Sequence, residues 1–436
     1  MKQLLLAYYG DDFTGSTDAL EFLCRSGAKT MLFIEPPTAA QLSKYHDLQA
    51  YGVAGKTRSL PPKEMEQVLL PAFEQMKASG AKHVHYKNCS TFDSAPHIGS
   101  IGMAIDCGAT IFQNKRISVL GGTPALGRYC VFGNLFARMG IGSSGAIYRL
   151  DRHPSMSKHP VTPAGESDLR LHLQQQTNKK IGLIDMLQLG QPVEQWSLHL
   201  QPDESVVLVD ALYDVQLTKI GNWLDLLADE NGPQFSAGGS AVEMALGKYW
   251  NDTGLLNDDT SWDHPGKAAP LLVISGSCSP VTVTQINWAK ANAFEEVIMD
   301  VAAVCETAEG GAGIESDAAQ AIHYLQQGKS VIVHTGFKQT ENLSSEKLGT
   351  ALGLVAKKAI EMTGVRRLVI SGGDTSSYAA RALEIEAVVM IAPLVLGAPL
   401  CSAISSNEII NGLEINFKGG QVGGEGYFGV LLNGEL

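Results

Sequence analysis

The stretch LLLAYYGDDFTGSTDALEFL, Leu4–Leu23, sets the pattern that the whole chain follows. An apolar run ends in two acids, Asp11 and Asp12, and an amphipathic segment, Ser16–Leu23, follows a short polar turn. This order predicts a buried strand and then a helix that Asp12 or Thr14 caps. A cap needs only one acid. The second acid stands at the carboxyl end of a predicted parallel strand, where open α/β sheets bind ligands, and indicates a functional site.

The same order of short apolar run, turn and longer amphipathic segment recurs and predicts an α/β fold with mostly parallel sheets. The recurring runs are Thr30–Ile34, Ala50–Ala54, His83–Tyr86, Ile117–Leu120, Val206–Val209, Pro270–Ser277, Ser330–His334 and Arg366–Thr375. A polar segment, Asn251–Lys267, interrupts this rhythm, and the 436 residues exceed the usual size of one domain. We therefore expect two three-layer α/β domains, residues 1–265 and residues 266–436.

Composition and charge exclude several classes of protein. A net charge of -12 and a pI near 5.4 argue against a nucleic-acid partner, which needs clustered Lys and Arg. The most apolar stretch, Ala387–Leu400, contains Pro393 and Pro399 and is shorter than the roughly 18 residues of a membrane helix, so we expect no membrane partner. Seven cysteines without a C-x-x-C pair predict neither a disulfide framework nor a zinc site. The first apolar run is too short for a signal peptide, so we expect a cytoplasmic location.

One motif match in the first half is misleading. Ala50–Thr57 fits a loosened phosphate-loop pattern, in which backbone N–H groups and a lysine hold nucleotide phosphates. Such a loop must open a helix at its lysine, here Lys56, but Pro61 and Pro62 follow closely and cannot donate hydrogen bonds to that helix. We therefore expect no nucleotide at this loop. The basic strand end Gly55–Ser59 either meets an anionic substrate or is a solvated turn.

A better candidate for a nucleotide site is Ser371–Thr375, which joins an apolar strand to the helical segment Ser376–Leu383. Glycines there let a phosphate approach the backbone, and a helix N-terminus supplies free N–H groups. Two similar loops lie in the same half: Ser275–Ser277, before a helix expected to begin at Pro280, and Lys418–Gly424. Each loop alone could be a plain left-handed turn. Three of them in one domain favour a nucleotide pocket.

Four further loops of the first half either bind a substrate or merely cap and turn the chain: Lys87–Ser94, Gly121–Arg128, Asp151–Pro154 and His159–Pro163. The two histidines of the last two loops do not have a common metal-ligand spacing. Hydrolase chemistry with a serine nucleophile is not indicated, because the G-x-S-x-G elbow is missing.

Together these motifs resemble those of the four-carbon acid sugar kinase family, also called DUF1537. The segments that carry the resemblance, in family order, are Gly10–Asp18, Thr57–Ser59, Pro124–Arg128, His159–Pro163, Ser275–Ser277, Ser371–Thr375 and Lys418–Gly420. The resemblance covers nearly the whole chain. It implies an N-terminal sugar-acid domain, a C-terminal nucleotide domain and an active site in the cleft between them. It also implies ATP-dependent phosphorylation of threonate, erythronate, a 3-oxo-tetronate or the related 3-oxo-isoapionate.

The resemblance and the residue types together predict the site. Residues expected to bind the small anionic sugar acid are Asp11, Arg58, Lys87, Ser90, Thr91, Arg128, His159 and Thr162. Residues expected to bind ATP are Ser275, Gly276, Ser277, Gly372, Gly373, Asp374, Thr375, Lys418, Gly419 and Gly420. A hydroxyl acceptor needs a carboxylate that takes its proton while Mg²⁺ absorbs charge on the moving phosphoryl group. We assign that carboxylate to Asp12, with Asp374 as the rival base, and expect Asp11 to orient. Arg58 is expected to grip a substrate carboxylate with its planar fork. The sequence assigns no metal ligands.

Two alternatives stay open at this stage. A sugar-acid phosphatase could use the first aspartates, although adjacent residues of a strand diverge to opposite faces and would separate Asp11 from Asp12. A non-catalytic sensor would bind the acid through Arg58 and ignore ATP. A homodimer is also expected.

Overall fold

The computed structural model describes residues 3–139, 144–159, 161–228, 232–258, 261–301, 311–336 and 344–435. They form two compact units. The first comprises Met1–Thr30 with Pro36–Thr260, and the second comprises Met31–Glu35 with Ser261–Leu436. The second unit therefore includes a short segment from near the amino terminus.

Strands and helices alternate along most of the chain. The strands are β1 (Leu6–Gly10), β2 (Thr30–Phe33), β3 (Ala50–Ala54), β4 (His83–Lys87), β5 (Ile117–Leu120), β6 (Arg128–Val131), β7 (Asn134–Arg138), β8 (Ile147–Arg149), β9 (Lys180–Ile184), β10 (Glu204–Val209), β11 (Gln234–Gly238), β12 (Leu272–Ser275), β13 (Glu295–Ile298), β14 (Val331–His334), β15 (Arg367–Ser371), β16 (Ala387–Ala392), β17 (Leu400–Ile404) and β18 (Glu414–Lys418). The helices are α1 (Phe13–Arg25), α2 (Ala39–Leu42), α3 (Pro62–Ala78), α4 (Ile101–Phe112), α5 (Leu169–Gln174), α6 (Val193–Trp196), α7 (Leu217–Leu227), α8 (Ala241–Asp252), α9 (Pro280–Ala291), α10 (Gly311–Gln326), α11 (Ser345–Thr363), α12 (Gly373–Ala382) and α13 (Tyr427–Asn433).

The first unit is built on a parallel sheet with the order β3-β1-β4-β11-β5-β10-β9. Strands β1, β3, β4 and β11 are buried at every position, which is typical of a parallel sheet covered on both faces. A small antiparallel sheet, β6-β7-β8, accompanies it. The sequence pattern did not predict this small sheet.

The second unit has a mixed sheet. Its parallel part has the order β13-β14-β12-β15-β18, and β17, β16 and β2 continue it in antiparallel pairing. Strand β2 pairs with β16 through Phe33 opposite Ala387 and Leu32 opposite Val388. The predicted α/β fold with mostly parallel sheets is confirmed.

Local sequence explains where the key helices begin. Helix α1 begins at Phe13, three residues before the predicted segment, because Asp12 is its N-cap. Helix α3 begins with Pro62 in its first turn, where a missing N–H costs nothing. Helix α9 begins at Pro280, as predicted, and Ser279 caps it through a hydrogen bond from Thr282 N.

The interior of each unit is apolar. In the first unit the Phe73 ring lies 5.8 Å from that of Phe112 and 5.2 Å from that of Phe235. In the second unit strands β12, β14 and β15 pack their buried aliphatic residues against α9 and α13. None of the helices in the described part of the chain has both the length and the apolar character that crossing a membrane would require.

Candidate active site

The carboxyl ends of β3, β1 and β4 lie side by side in the first unit. Gly10, the last residue of β1, is in register with Ala54 of β3 and Lys87 of β4. Beyond the strands, Asp11 N donates to the Lys87 carbonyl at 2.8 Å and Arg58 N donates to the Asp11 carbonyl at 3.0 Å. Three residues predicted from three separate loops therefore meet at one edge of the sheet.

Arg58 binds both aspartates. Its Nε and Nη2 donate to the two carboxylate oxygens of Asp11 at 3.1 and 2.7 Å, and its Nη1 donates to Asp12 Oδ2 at 2.7 Å. Burial opposes the charge on Arg58, but Asp11 and Asp12 outweigh it and hold the pKa of Arg58 well above its usual value. Burial raises the pKa of Asp11, and Arg58 counteracts this rise. The expectation that the adjacent acids diverge is wrong, because β1 ends at Gly10 and strand alternation stops before Asp11.

Asp12 also caps α1, as one of the two sequence interpretations predicted. Its Oδ1 accepts from Gly15 N at 2.7 Å, and its Oδ2 accepts from Thr14 Oγ1 at 3.0 Å. A Cβ at Gly15 would lie 2.6 Å from Asp12 Oδ1 and 3.2 Å from Lys87 Nζ. A larger residue at position 15 would therefore clash with the Asp12 carboxylate and crowd the Lys87 ammonium.

Lys87 is buried beside these acids. Its Nζ lies 3.2 Å from Asp18 Oδ1, and it donates to the Asn88 carbonyl at 3.2 Å. Burial would lower the pKa of Lys87, but Asp18, Asp11 and other acids outweigh it and raise that pKa. Burial raises the pKa of Asp18 to about 6 despite Lys87. Asp18 was not predicted, although it follows Thr14 by one helical turn and such residues share a face.

A second buried pair lies close to Lys87. His85 Nε2 and Glu243 Oε1 are 3.7 Å apart and neither atom has a hydrogen-bond partner among the described residues. Burial raises the pKa of Glu243 to about 8 and lowers that of His85 to about 3, so both side chains are neutral near pH 7. His85 lies two residues before Lys87 in β4, a spacing that could have revealed it. Glu243 comes from α8, and its position depends on tertiary packing alone.

The segment after β4 continues the site. Cys89 N donates to Asp11 Oδ2 at 3.2 Å, and Cys89 Sγ lies 3.0 Å from Thr91 Oγ1, which donates to Asp93 Oδ1 at 2.9 Å. Ser90 is buried, and its Cα would lie 3.4 Å from a Cβ added at Gly239. The predicted residues Ser90 and Thr91 thus lie in a segment that contacts Asp11.

Arg128, the first residue of β6, is nearly buried and lies near the same segment. Its Nη1 donates to the carbonyls of Leu126 and Arg138 at 2.9 and 3.2 Å. Burial lowers the pKa of Arg128, and Cys89 and Asp93 oppose this change. Within the described residues it has no carboxylate in ion-pair contact.

His159 and Thr162 form their own local pair. His159 Nδ1 accepts from Thr162 N at 3.1 Å and lies 3.0 Å from Thr162 Oγ1. Thr162 is buried and His159 is half-buried. Pro160, between them in the predicted loop, lies outside the described residues. The role of this loop toward a substrate stays a prediction.

The segment Ala50–Thr57, which fits the loosened phosphate-loop pattern, does not open an α-helix, as Pro61 and Pro62 predicted. Lys56 is exposed, a short 3-10 turn (Thr57–Ser59) follows it, and the next α-helix, α3, begins at Pro62. No α-helix opens at this lysine in the described part of the chain, so its neighbourhood lacks the helix N-terminus of a phosphate loop.

The three glycine-containing loops of the second unit follow adjacent parallel strands. Ser275 of β12 is in register with Ser371 of β15, which is in register with Lys418 of β18. Gly276 N donates to the Ser371 carbonyl at 3.2 Å, and Gly372 N donates to the Lys418 carbonyl at 2.8 Å. The three loops therefore start in one line at the carboxyl edge of the sheet.

Lys418 is a buried lysine without an acid. Its Nζ donates to Thr282 Oγ1 at 3.1 Å and to the Gly419 carbonyl at 2.9 Å, and it lies 5.6 Å from the Tyr427 ring. The described residues place no carboxylate in ion-pair contact with it. Burial lowers the pKa of Lys418 to about 7. A phosphate bound beside this side chain would supply the negative charge that the described residues do not.

The loops leave little room for side chains. A Cβ would lie 2.3 Å from Thr375 Oγ1 at Gly276, 2.9 Å from the same atom at Gly372, and 3.1 Å from Ser277 Oγ at Gly420. Gly372 has φ 120, which only glycine adopts easily. Gln285 Nε2 donates to the carbonyls of Val422, Gly423 and Gly424 and fixes the last loop.

Two helix N-termini open at these loops. Helix α9 follows Ser277, and α12 begins at Gly373 with Asp374 exposed in its first turn. Ser371 Oγ and Ser376 Oγ are buried and have no hydrogen-bond partner in the described residues. These donors and the N-termini suit a phosphate. Within the same described ranges, no group of three His, Cys, Asp or Glu residues could hold a metal ion by itself.

Two family models match the chain along these units. The model for a sugar-binding N-terminal domain matches residues 6–246, and that for a nucleotide-binding C-terminal domain matches residues 272–428. The fold and these matches define an α/β protein with a sugar-binding and a nucleotide-binding part. The chain belongs to the four-carbon acid sugar kinase family.

Similar proteins agree with this family. The chain is 40% identical to a 3-oxo-isoapionate kinase of Paraburkholderia graminis, over 99% of this chain and 95% of that protein. It is 28% identical to a 3-oxo-tetronate kinase of Pseudomonas fluorescens, over 99% of this chain and 97% of that protein. A solved structure from Salmonella typhimurium LT2 superposes with a TM-score of 0.78 at 25% identity and covers 98% of both chains. The predicted family and its kinase activity are confirmed.

Proposed function

We propose that this protein transfers the terminal phosphoryl group of ATP to a hydroxyl of a small sugar acid. The observation that carries the proposal is the pair of aspartates held by Arg58 at the carboxyl edge of the first sheet. The substrate class is a four-carbon acid sugar, namely a 3-oxo-tetronate, threonate or erythronate, or the related 3-oxo-isoapionate. We place 3-oxo-isoapionate first, because the relative with that activity shares 40% identity and the 3-oxo-tetronate kinase shares 28%.

Asp12 is the proposed general base. Its side chain keeps 19% of its surface exposed, whereas that of Asp11 keeps 4%. A base must reach the proton that it takes, so Asp12 suits this role and Asp11 suits the orientation of Arg58. Asp374, exposed in the first turn of α12, is the rival base.

The nucleotide phosphates are proposed to lie against Ser277, Gly372, Gly373, Lys418 and Gly420. The buried ammonium of Lys418 and the two helix N-termini give this region positive character. Ser275, Gly276, Thr375 and Gly419 shape the same loops. Mg²⁺, when bound with ATP, would neutralise charge on the phosphates, and Asp374, exposed in the first turn of α12, would be able to share in its coordination, since Mg²⁺ commonly takes one or two carboxylates plus phosphate oxygens.

The sugar acid is proposed to contact Lys87, Ser90, Thr91, Arg128, His159 and Thr162 in addition to the aspartates. Small polar side chains together with cations suit a polyhydroxylated anion. A homodimer and a cytoplasmic location also belong to this proposal as predictions from the sequence.

A coupled assay of ADP release tests the function. The purified chain is offered ATP, Mg²⁺ and each of a panel of tetronates, 3-oxo-tetronates and apionate-derived acids. We expect turnover with at least one acid. Measurable ATP binding without turnover of any acid would refute the proposal, and phosphate release from a sugar-acid phosphate without nucleotide would point to a phosphatase instead.

A further inference from the structure

The guanidinium expected to grip the substrate carboxylate is already engaged within the protein. Arg58 gives its parallel fork, Nε and Nη2, to Asp11 and its Nη1 to Asp12. Asp11 occupies the parallel fork of Arg58, so that fork is not available to a substrate carboxylate. Arg58 therefore acts on the aspartates, and a different cation has to meet the acid group of the substrate.

Arg128 is a cation without such a partner. The residue is 8% exposed, and its hydrogen bonds go to two backbone carbonyls, which are neutral. Its Nε atom is buried and has no hydrogen-bond partner among the described residues. A buried guanidinium without a carboxylate is unfavourable, and the carboxylate of a bound ligand would complete it.

His153 presents a second donor close to Arg128, near the Arg138 carbonyl that Arg128 Nη1 also binds. Its Nδ1 accepts from Ser155 N and Met156 N, both at 3.2 Å, so the proton of the neutral ring is on Nε2. That Nε2 atom is buried and lacks a hydrogen-bond partner in the part of the chain that the structure describes. Burial and the nearby Arg128 lower the pKa of His153, so the ring stays a neutral donor near pH 7.

Arg128 also faces the right part of the first unit. Cys89 and Asp93 partly offset the lowering of the Arg128 pKa by burial, and Cys89 N donates to Asp11 Oδ2 at 3.2 Å. The segment from Cys89 to Asp93 thus has the aspartates at one end and Arg128 nearby. In a four-carbon acid, a few bonds separate the carboxylate from the far hydroxyl. The carboxylate could therefore meet Arg128 while the hydroxyl meets the aspartates.

We propose that Arg128 and His153 together bind the carboxylate of the sugar acid, and that Arg58 is a positioning residue for Asp11 and Asp12. This inference rests on the proposed function. It assigns the specificity for an acid, as opposed to a neutral sugar, to the small sheet β6-β7-β8 and the loop after it.

The test compares two substrates in matched variants. The sugar acid with the highest turnover in the ADP-release screen and its primary amide, which has the same hydroxyls without the charge, are assayed with the wild-type enzyme and with Arg128→Gln. We expect Arg128→Gln to raise KM for the acid roughly 10- to 100-fold, the usual effect of losing a charged hydrogen bond, and to change KM for the amide less than threefold. His153→Gln should reduce the same preference by a smaller factor. Arg138→Gln is the control, because that side chain belongs to the same small sheet and donates to the Gly145 carbonyl and the Tyr129 hydroxyl.

The outcomes separate the two proposals. No turnover by the wild-type enzyme refutes the proposed function. Turnover with an unchanged preference for the acid in Arg128→Gln, or equal losses with acid and amide, overturns this inference alone, as does loss of the preference in Arg58→Gln instead. If Arg128→Gln does not fold, Arg128→Lys keeps the charge and removes the fork, and the same comparison of acid with amide decides the matter.

Discussion

Lys418 gives the sharpest prediction for the nucleotide site. Burial holds its pKa at about 7 instead of 10.5, so roughly half of the molecules have a neutral lysine at pH 7. A bound phosphate stabilises the charged form. Binding of ADP at pH 7 should therefore take up about half a proton, and above pH 7 the affinity should fall by up to roughly tenfold per pH unit.

The assay is calorimetric titration of ADP in two buffers that differ in ionisation enthalpy, between pH 7 and pH 9. Lys418→Met should weaken ADP binding roughly 10- to 100-fold, since a charge-assisted hydrogen bond contributes about 1.5 to 3 kcal/mol, and should abolish the proton uptake of this group. Lys290→Met is the control, because Lys290 lies at the carboxyl end of α9, away from the glycine-containing loops, and pairs with Glu296 of β13. An unchanged affinity in Lys418→Met, or the same pH dependence in that variant, would refute the reasoning.

The same variant has a consequence for stability with a definite sign. The pKa of Lys418 is lower in the folded chain, so the unfolded chain binds more protons between about pH 7 and 10.5, and unfolding free energy should rise with pH across that window. The difference between the pKa values of Lys418 in the folded and unfolded chains corresponds to ~5 kcal/mol at most in the free energy of unfolding. Lys418→Met could stabilise the folded chain by up to this amount below pH 7. Urea unfolding of the ligand-free protein measures it, and a destabilised Lys418→Met at pH 7 would contradict this account of the buried ammonium.

Three further predictions concern the two units separately. Asp12→Asn should lower kcat by about 10² or more while ATP and sugar-acid affinities stay nearly intact, because asparagine still caps α1 but cannot take the proton; full activity in steady-state kinetics would transfer the role to Asp374. Gly373→Val should weaken ATP binding in a titration and spare the sugar acid, whereas Lys56→Ala should leave ATP binding unchanged; the opposite pattern would restore the phosphate-loop interpretation. Glu243 has a pKa of about 8 against an ordinary 4.5, so the folded chain binds the extra proton and unfolding free energy should fall by up to roughly 1.4 kcal/mol per pH unit from pH 5 to 8. Glu243→Gln should remove that slope in denaturant titrations, and an identical slope in both proteins would show that Glu243 is not the source.

Short-range pattern predicted much of the fold. Strands Ala50–Ala54 and Ile117–Leu120 have the bounds that their apolar runs indicated, because a buried parallel strand is apolar throughout and ends where the chain turns polar. The sequence did not predict the small sheet β6-β7-β8. Buried and half-buried side chains alternate along β6 and β7, and the turn between these strands contains Gly133, which has φ 80. Its strands are short and half-buried, and a weak alternation between Gly-rich loops is easily taken for a turn.

The site was predictable where a strand end determines it and not where tertiary packing does. Asp11, Arg58 and Lys87 meet because parallel strands in register bring their carboxyl ends together. The pairing of Arg58 with both aspartates, and the position of Glu243 near Lys87, depend on side-chain packing between distant segments. Domain bounds, site roles, the homodimer and the cytoplasmic location stay predictions.

The segment that contains β2 limits how this protein can be dissected. β2 covers the edge of β16, and Glu35 just beyond it forms an ion pair with Arg381 of α12 at 2.8 Å. A gene fragment that starts in the polar segment near residue 265 would encode the nucleotide half without its outermost strand. The exposed edge of β16 would then be free to pair with other copies, which is a common route to insoluble material. Residues 29–36 fused through a flexible linker, or supplied as a synthetic peptide, would restore the missing strand, so recombinant work on the isolated half should begin from such a grafted fragment.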